Sequence, residues 1–177
     1  MAKPLESVEI RLWRKGDEGV LPKLANNRRI WRNLTNRFPH PYGRDDAVSW
    51  IEVANCDLEN AQHFAIVAEG EVVGGVGFER LQDLSTRSAE IGYWIGEPYW
   101  ERGIATLALQ AATTLAFNDF DFARLQAGVL EWNPASCRVL EKAGFTREGV
   151  YRNHIFKDGE LCDQIMYAKL REEHTSR

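Results

Sequence analysis

The chain is poor in the residues that build staples, metal clusters and membrane anchors. Its three cysteines, Cys56, Cys137 and Cys162, are odd in number and widely spaced. There is no Cys-x-x-Cys pair and no His/Cys cluster, so reduced thiols and no metal are expected. No apolar run approaches membrane-spanning length. The opening Met-Ala-Lys-Pro-Leu-Glu carries no apolar signal core. A cytoplasmic location without a membrane partner is the expectation that follows. Positive charge is outnumbered, 22 Lys and Arg against 26 Asp and Glu for a net charge of -4. That balance argues against nucleic acid as a partner, although a local basic pocket remains open. Repeats, low-complexity tracts, linkers and a Gly-x-x-x-x-Gly-Lys-[Ser/Thr] phosphate loop are all missing.

What is present is ordinary globular material, 44% hydrophobic and 27% charged over 177 residues. That length suits one domain, 1–177, with a core over about 8–170. Val8 to Arg14 alternates apolar and charged residues and reads as a strand. A helix capped by Asp17 is expected to run to about Leu34, burying Leu21, Leu24, Ile30 and Trp31. The Pro- and Gly-bearing stretch 36–43 reads as loop. A second helix follows from about Asp45 to Leu58, burying Val48, Ile51 and Trp50. Strands over His63–Ala68 and Val72–Leu84 flank a turn at Glu69-Gly70-Glu71, and Ala89–Gly96 is a third.

Past Gly103 the period changes to that of a helix, with Ile104, Leu107, Ala108, Ala111, Ala112 and Leu115 on one face. Arg124–Leu130 is a strand. Asn133-Pro134 opens a short helix that Gly144 closes. Two last strands, about Phe145–Lys157 and Leu161–Leu170, meet at Asp158-Gly159. The order β-α-α-β-β-β-α-β-α-β-β gives an α/β (mixed α+β) domain around one mixed sheet.

The junction Ile91-Gly-Tyr-Trp-Ile-Gly-Glu-Pro-Tyr-Trp-Glu-Arg-Gly-Ile-Ala-Thr106 runs from a strand through a short loop into a helix beginning at glycine. The first N–H groups of such a helix lack intrahelical partners and carry the positive end of its dipole, so they can hold a phosphate. Gly103 and Ala105 leave room for close approach, and Arg102 adds charge. On these grounds the junction is either an anion cradle or a plain strand-to-helix turn. Gly74-Gly75-Val76-Gly77 lies inside a strand and opens no helix, so a bulge or close packing explains it better than a dinucleotide fingerprint.

Several segments together resemble the GNAT superfamily of N-acetyltransferases, and within it the branch that acetylates ribosomal-protein N-termini. These are Trp100-Glu-Arg-Gly103-Ile-Ala105, Ala89-Glu-Ile-Gly-Tyr-Trp-Ile95, Asn133-Pro-Ala-Ser136, Glu141-Lys-Ala-Gly-Phe145, Asp158-Gly159 and Asp163 through Tyr167. Trp100 departs from the Gln or Arg of the family's phosphate motif. The resemblance covers nearly the whole chain and implies a splayed mixed sheet flanked by helices.

It also implies acetyl-CoA as acyl donor and no metal. The acceptor would be the amine of a small molecule or a protein N-terminus, attacking directly through a tetrahedral intermediate; a homodimer is a further family habit. Arg102, Gly103, Ile104, Ala105 and Thr106 would hold the pyrophosphate. Trp94, Ile95 and Gly96 would meet the pantetheine arm where the strand splays at a bulge, with a backbone N–H near Ile95 stabilising the oxyanion. Asn133 would contact the pantetheine besides capping its helix. The family's tyrosine acid falls at Leu140 here, so Ser136 is the candidate proton donor or sulfur contact. Glu90 and His154 are the candidate general bases, unless ordered water alone suffices. Phe38, His40 and Tyr42 are the candidate acceptor-lining residues. The competing reading is a catalytically silent acyl-CoA-binding or sensing module on the same fold.

Overall fold

A computed structural model describes residues 7–175. The opening segment read above as lacking a signal core lies outside them, as do Ser176 and Arg177. Seven strands form one sheet: β1 (Val8–Leu12), β2 (Ala61–Ala68), β3 (Glu71–Arg80), β4 (Ser88–Ile95), β5 (Arg124–Leu130), β6 (Thr146–Lys157) and β7 (Glu160–Leu170). Their order is β1-β2-β3-β4-β5-β7-β6, and every neighbouring pair is antiparallel except β4 and β5. At the two tight hairpins, Glu69-Gly70 and Asp158-Gly159 all take positive φ, as a two-residue loop of matching twist requires.

The helices are α1 (Leu21–Ala25), α2 (Arg28–Trp31), α3 (Arg44–Ala54), α4 (Ile104–Asp119), α5 (Pro134–Lys142) and α6 (Arg171–Thr175). One face of the sheet packs on α4 and α5 through Phe64, Phe78, Ile91, Ile95, Leu125, Leu109 and Phe117. The other packs Ala65, Trp94 and Val72 against Trp13, just after β1, and against Leu21, Ala47 and Ala54 from the N-terminal helices. Two apolar layers therefore hold the sheet between helices, as alternate strand residues point to opposite faces.

The single helix expected from Asp17 to Leu34 is broken into a 3-10 turn at Asp17–Gly19 and the short α1 and α2. Asp17 caps nothing with its side chain. Its carboxylate takes two 2.8 Å bonds from Arg11 of β1 and accepts the Arg14 amide at 3.0 Å. The helix stops at Asn26, and the Asn27 carboxamide oxygen accepts the Arg29 N–H at 2.8 Å to start a new one. Local side-chain bonding of this kind competes with a continuous helix.

Val48, expected inside, is exposed, and so is Leu107 on α4. Ile104, Ala108 and Ala112 are buried as expected, and the buried side of α4 also takes in Leu109, Thr113, Ala116 and Phe117. Strand β3, expected to run to Leu84, ends at Arg80, and Leu84 is fully solvated in the turn beyond it. Helix α5 closes as expected. Gly144 has φ 86, and the amides of Gly144 and Phe145 reach back to Glu141 and Leu140, each at 3.0 Å.

Candidate active site in the gap between β4 and β5

Strands β4 and β5 pair only over Ser88–Arg124, Ala89–Leu125 and Glu90–Gln126. Beyond Glu90, β4 continues to Ile95 and β5 to Leu130 without pairing to each other, which opens a V-shaped gap. Against β3, β4 keeps an unbroken register, so the splay arises without the expected bulge in β4. The bulge lies instead between β2 and β3, beside Gly74. The Gly96 N–H donates to Val73 of β3 at 2.8 Å. Backbone groups alternate in direction along a strand. Trp94 therefore also turns its backbone to β3, whereas Tyr93 and Ile95 turn theirs into the gap. Ile95 is thus placed as expected for backbone pairing, while Trp94 and Gly96 are already engaged with β3.

A Cβ on Gly74 would strike the Trp94 carbonyl, and one on Gly75 the Trp94 indole. These glycines let β3 and β4 pack closely, the use read from the sequence.

The gap leads to the start of α4. Gly103 precedes it with φ 77, and no side chain caps the helix. The N–H groups of Ile104, Ala105 and Thr106 thus begin a 16-residue helix without side-chain acceptors, at the positive end of its dipole. They fit a pyrophosphate through backbone donors. Arg102 is less free than expected, since its guanidinium bonds Glu69 at 2.7 Å. Trp100, the departure from the family motif, donates its indole N–H to the Ile95 carbonyl at 2.7 Å. It fastens the loop back onto the end of β4, and Arg29 lies over its ring.

Across the gap stands α5. The Asn133 carboxamide oxygen accepts the Ser136 N–H at 3.3 Å, so its capping role is real. Leu140, where a tyrosine acid was missed, is fully buried. A tyrosine arrives from elsewhere: the Tyr93 hydroxyl on β4 lies 2.9 Å from the Ser136 hydroxyl. Burial pushes the Tyr93 phenol up to about 12, opposed by the Ser136 bond and reinforced by Cys137. The hydroxyl therefore keeps its proton throughout the neutral range. The sequence offered one sign of this, a polar group on the strand face that otherwise carries Ile91 and Ile95.

Glu90 faces the other side of the sheet. Solvent reaches its side chain, yet surrounding protein desolvates the carboxyl and raises its pKa, with Glu79 adding repulsion and Arg37 partly offsetting both. Next to it, Gly92 has nothing within 4 Å of where a Cβ would stand, which leaves an open floor between Glu90 and Trp94. Phe38 overhangs this floor, its ring 5.8 Å from Trp94.

The other sequence candidates sit apart from that group. Tyr42 is buried behind Phe38, and burial raises its phenol. It belongs to the core rather than to an acceptor pocket. His40 is exposed and stacks on Trp31. His154 is exposed on the edge strand β6, against Tyr151, with β7 between it and β5. The fold does not bring it to Glu90 or Ser136.

The segment around α2 links the end of β4 to the β6–β7 turn. Asn27 and Arg29 bond Glu97 just after β4, and Arg28 and Arg32 pair with Asp158 and Glu160 at the β6–β7 turn. Arg32 also lies 4.3 Å over the Trp132 ring. Among the described residues, no cluster of His, Cys, Asp and Glu could hold a metal ion, and no helix is long and apolar enough to cross a membrane. Cys56, Cys137 and Cys162 are free thiols.

Known proteins share this arrangement. The family model for the acetyltransferase (GNAT) domain matches residues 7–146. The ribosomal-protein-serine acetyltransferase of Escherichia coli is 32% identical over 171 residues, covering 95% of each chain. Matches to other curated relatives are shorter, spanning 65% of an uncharacterized N-acetyltransferase of Bacillus licheniformis and 55% of one from Bacillus subtilis. The structure of Mycobacterium smegmatis RimJ in complex with CoA-disulfide superposes with a TM-score of 0.85 at 25% identity, over 94% of this chain and 83% of that one. A probable acetyltransferase of known structure gives 0.82 at 28% identity over 97% of each chain. The splayed β4–β5 pair, the uncapped start of α4 and these matches agree: the chain belongs to the GNAT acetyltransferase family.

Proposed function

We propose that the protein transfers an acetyl group from acetyl-CoA to a primary amine by direct attack, without metal or covalent enzyme intermediate. The observation that carries this is the gap beyond Glu90, flanked by inward-turned backbone groups and ending at the bare N–H groups of α4. Acetyl-CoA brings the activated thioester. Tyr93 supplies a backbone donor and acceptor for an extended arm, and the Ile95 N–H, whose carbonyl is held by Trp100, is the candidate oxyanion donor. Ile104, Ala105 and Thr106 bind the diphosphate. Ser136, hydrogen-bonded to Tyr93, is the proton donor to the leaving sulfur. Glu90 accepts a proton from the acceptor on the opposite face, where Phe38 and Trp94 line the approach.

The similarity to a ribosomal-protein-serine acetyltransferase supports a protein N-terminus as acceptor, and the exposed floor at Gly92 suits an extended chain end. Thiol release from acetyl-CoA, followed across N-terminal peptides, polyamines and amino sugars, tests the reading. Amine-dependent release on one of these classes is expected. Binding of acetyl-CoA without stimulation by any amine would instead make the protein a sensor.

A further inference from the structure

Glu90 sits in a charged row whose other members have no task in the account above. Glu79 on β3 is its direct cross-strand partner, on the same face of the sheet. Two carboxylates so placed repel. Arg37, from the loop before α3, reaches both oxygens of Glu79 at 3.0 Å. The Nε2 of His63 on β2 stands 3.4 Å from Glu79 as well. Burial lowers the His63 pKa, Glu79 works against that and Arg37 with it. On the β5 side Glu90 faces the neutral Gln126. Arg124, which donates to Gln126 at 3.4 Å, is itself held by Glu148. Among the described residues, no hydrogen bond or ion pair engages the Glu90 carboxylate. All the fixed charge in the row is on its neighbour.

We propose that Glu79, anchored by Arg37, is a positioning residue for proton transfer: its carboxylate, fixed across the strand from Glu90, makes Glu90 an effective proton acceptor for the incoming amine. This rests on the reading of Glu90 as general base. In each turnover an ammonium must shed two protons. Glu90 takes one and frees the nitrogen lone pair for the thioester carbon. The Ser136 hydroxyl protonates the departing sulfur, and the second nitrogen proton restores that hydroxyl through water. Glu90 returns its own proton to solvent. A carboxylate at its ordinary pKa would be a weak base for this step, and a neighbouring anion strengthens it. Arg37 fixes the Glu79 carboxylate in place beside Glu90, whose own carboxylate has no such partner among the described residues. The same ion pair ties the Phe38 loop to the sheet.

Glu79 and Arg37 act on Glu90 with opposite signs, and a merely structural role would not. The test is the carboxyl titration of Glu90 by carbon-detected NMR in the free protein, together with the pH dependence of kcat/KM. Glu79→Gln should lower the Glu90 midpoint and move the acidic limb to lower pH. Arg37→Ala should raise both. Each shift should be about half a pH unit, the Coulomb interaction of unit charges about 6 Å apart where water still enters. Glu90→Gln should abolish the acidic limb. If that limb survives in Glu90→Gln, the general-base reading fails and this inference fails with it. If it vanishes while the other two variants leave the Glu90 titration unmoved, or shift it the same way, only the role of Glu79 and Arg37 is overturned.

Discussion

Replacing Tyr93 with Phe removes one oxygen and one hydrogen bond, the 2.9 Å contact to Ser136. The ring stays, and with it the packing against the sheet core. A net hydrogen bond between neutral groups contributes about 0.5–1.5 kcal/mol, so melting should fall by only about 2–4 °C in a chain of this size. The effect on turnover should be more specific. With its partner gone the Ser136 hydroxyl loses its fixed orientation, and kcat should fall about tenfold, equivalent to about 1.4 kcal/mol.

Ser136→Ala removes the donor itself and should cost about a hundredfold, the lower range for a positioned proton donor. Because Tyr93 acts through Ser136, the double variant should be no slower than Ser136→Ala alone. Thiol release gives the rates, and calorimetric titration with CoA gives an affinity that should barely move. Losses that multiply in the double variant would refute the coupling. A fall in CoA affinity with unchanged kcat would make the pair a binding element only.

Other positions give independent expectations. Gly103→Ala meets no atom but forces a side chain into φ 77. It should destabilise the fold by about 1–2 kcal/mol in chemical denaturation and weaken CoA binding together. Gly92→Val fills open space on the acceptor floor. It should raise the amine KM about tenfold, as about 1–3 kcal/mol of overpacking implies, while calorimetry shows CoA binding intact.

Asp17→Asn leaves Arg11 and the Arg14 amide with a weaker partner and should cost about 1–3 kcal/mol by urea unfolding. Burial works against the Asp17 charge, but the Arg11 and Arg14 contacts outweigh it and hold the carboxyl below its ordinary value. Its contribution is therefore complete above the unfolded-state pKa of about 4 and disappears as pH falls through the lower folded value. Wild type and Asp17→Asn should converge in stability in strong acid.

Much of the architecture was legible because it follows local rules. The Asp158-Gly159 turn, the Asn133-Pro134 start of α5 and its Gly144 stop each depend on a few adjacent residues, and all three were readable. The helix drawn from Asp17 to Leu34 failed where local side-chain bonds competed with it: Arg11 at the end of β1 recruits Asp17, and Asn27 starts a new helix with its own side chain. Leu107 shows a different limit. A largely apolar helix such as α4 has no single sharp stripe, so periodicity could not say that Leu109 and Phe117 would be inside and Leu107 outside.

At the site, the bare start of α4 proposed to bind phosphate, and the position of Ser136, could be read from short motifs. Tyr93 could not be linked to Ser136, 43 positions away, nor Arg37 to Glu79, 42 positions away. Trp100 looked like a defect in a motif, and its indole bond to Ile95 shows what it does instead. His154 and Tyr42 carried the right chemistry at the right point in the sequence, but one faces solvent at the sheet edge and the other is in the core.

The central claim is that the acyl donor lies along β4 as an added strand, gripped by the backbone of Tyr93 and Ile95 and by the first turn of α4. Residue-resolved amide hydrogen exchange, with and without CoA, tests this most directly. The amides of Tyr93, Ile95, Ile104, Ala105 and Thr106 should all slow on binding, while that of Gly96, already bonded to Val73, should change little. Saturable CoA binding that leaves the Tyr93 and Ile95 amides exchanging as before would contradict the account.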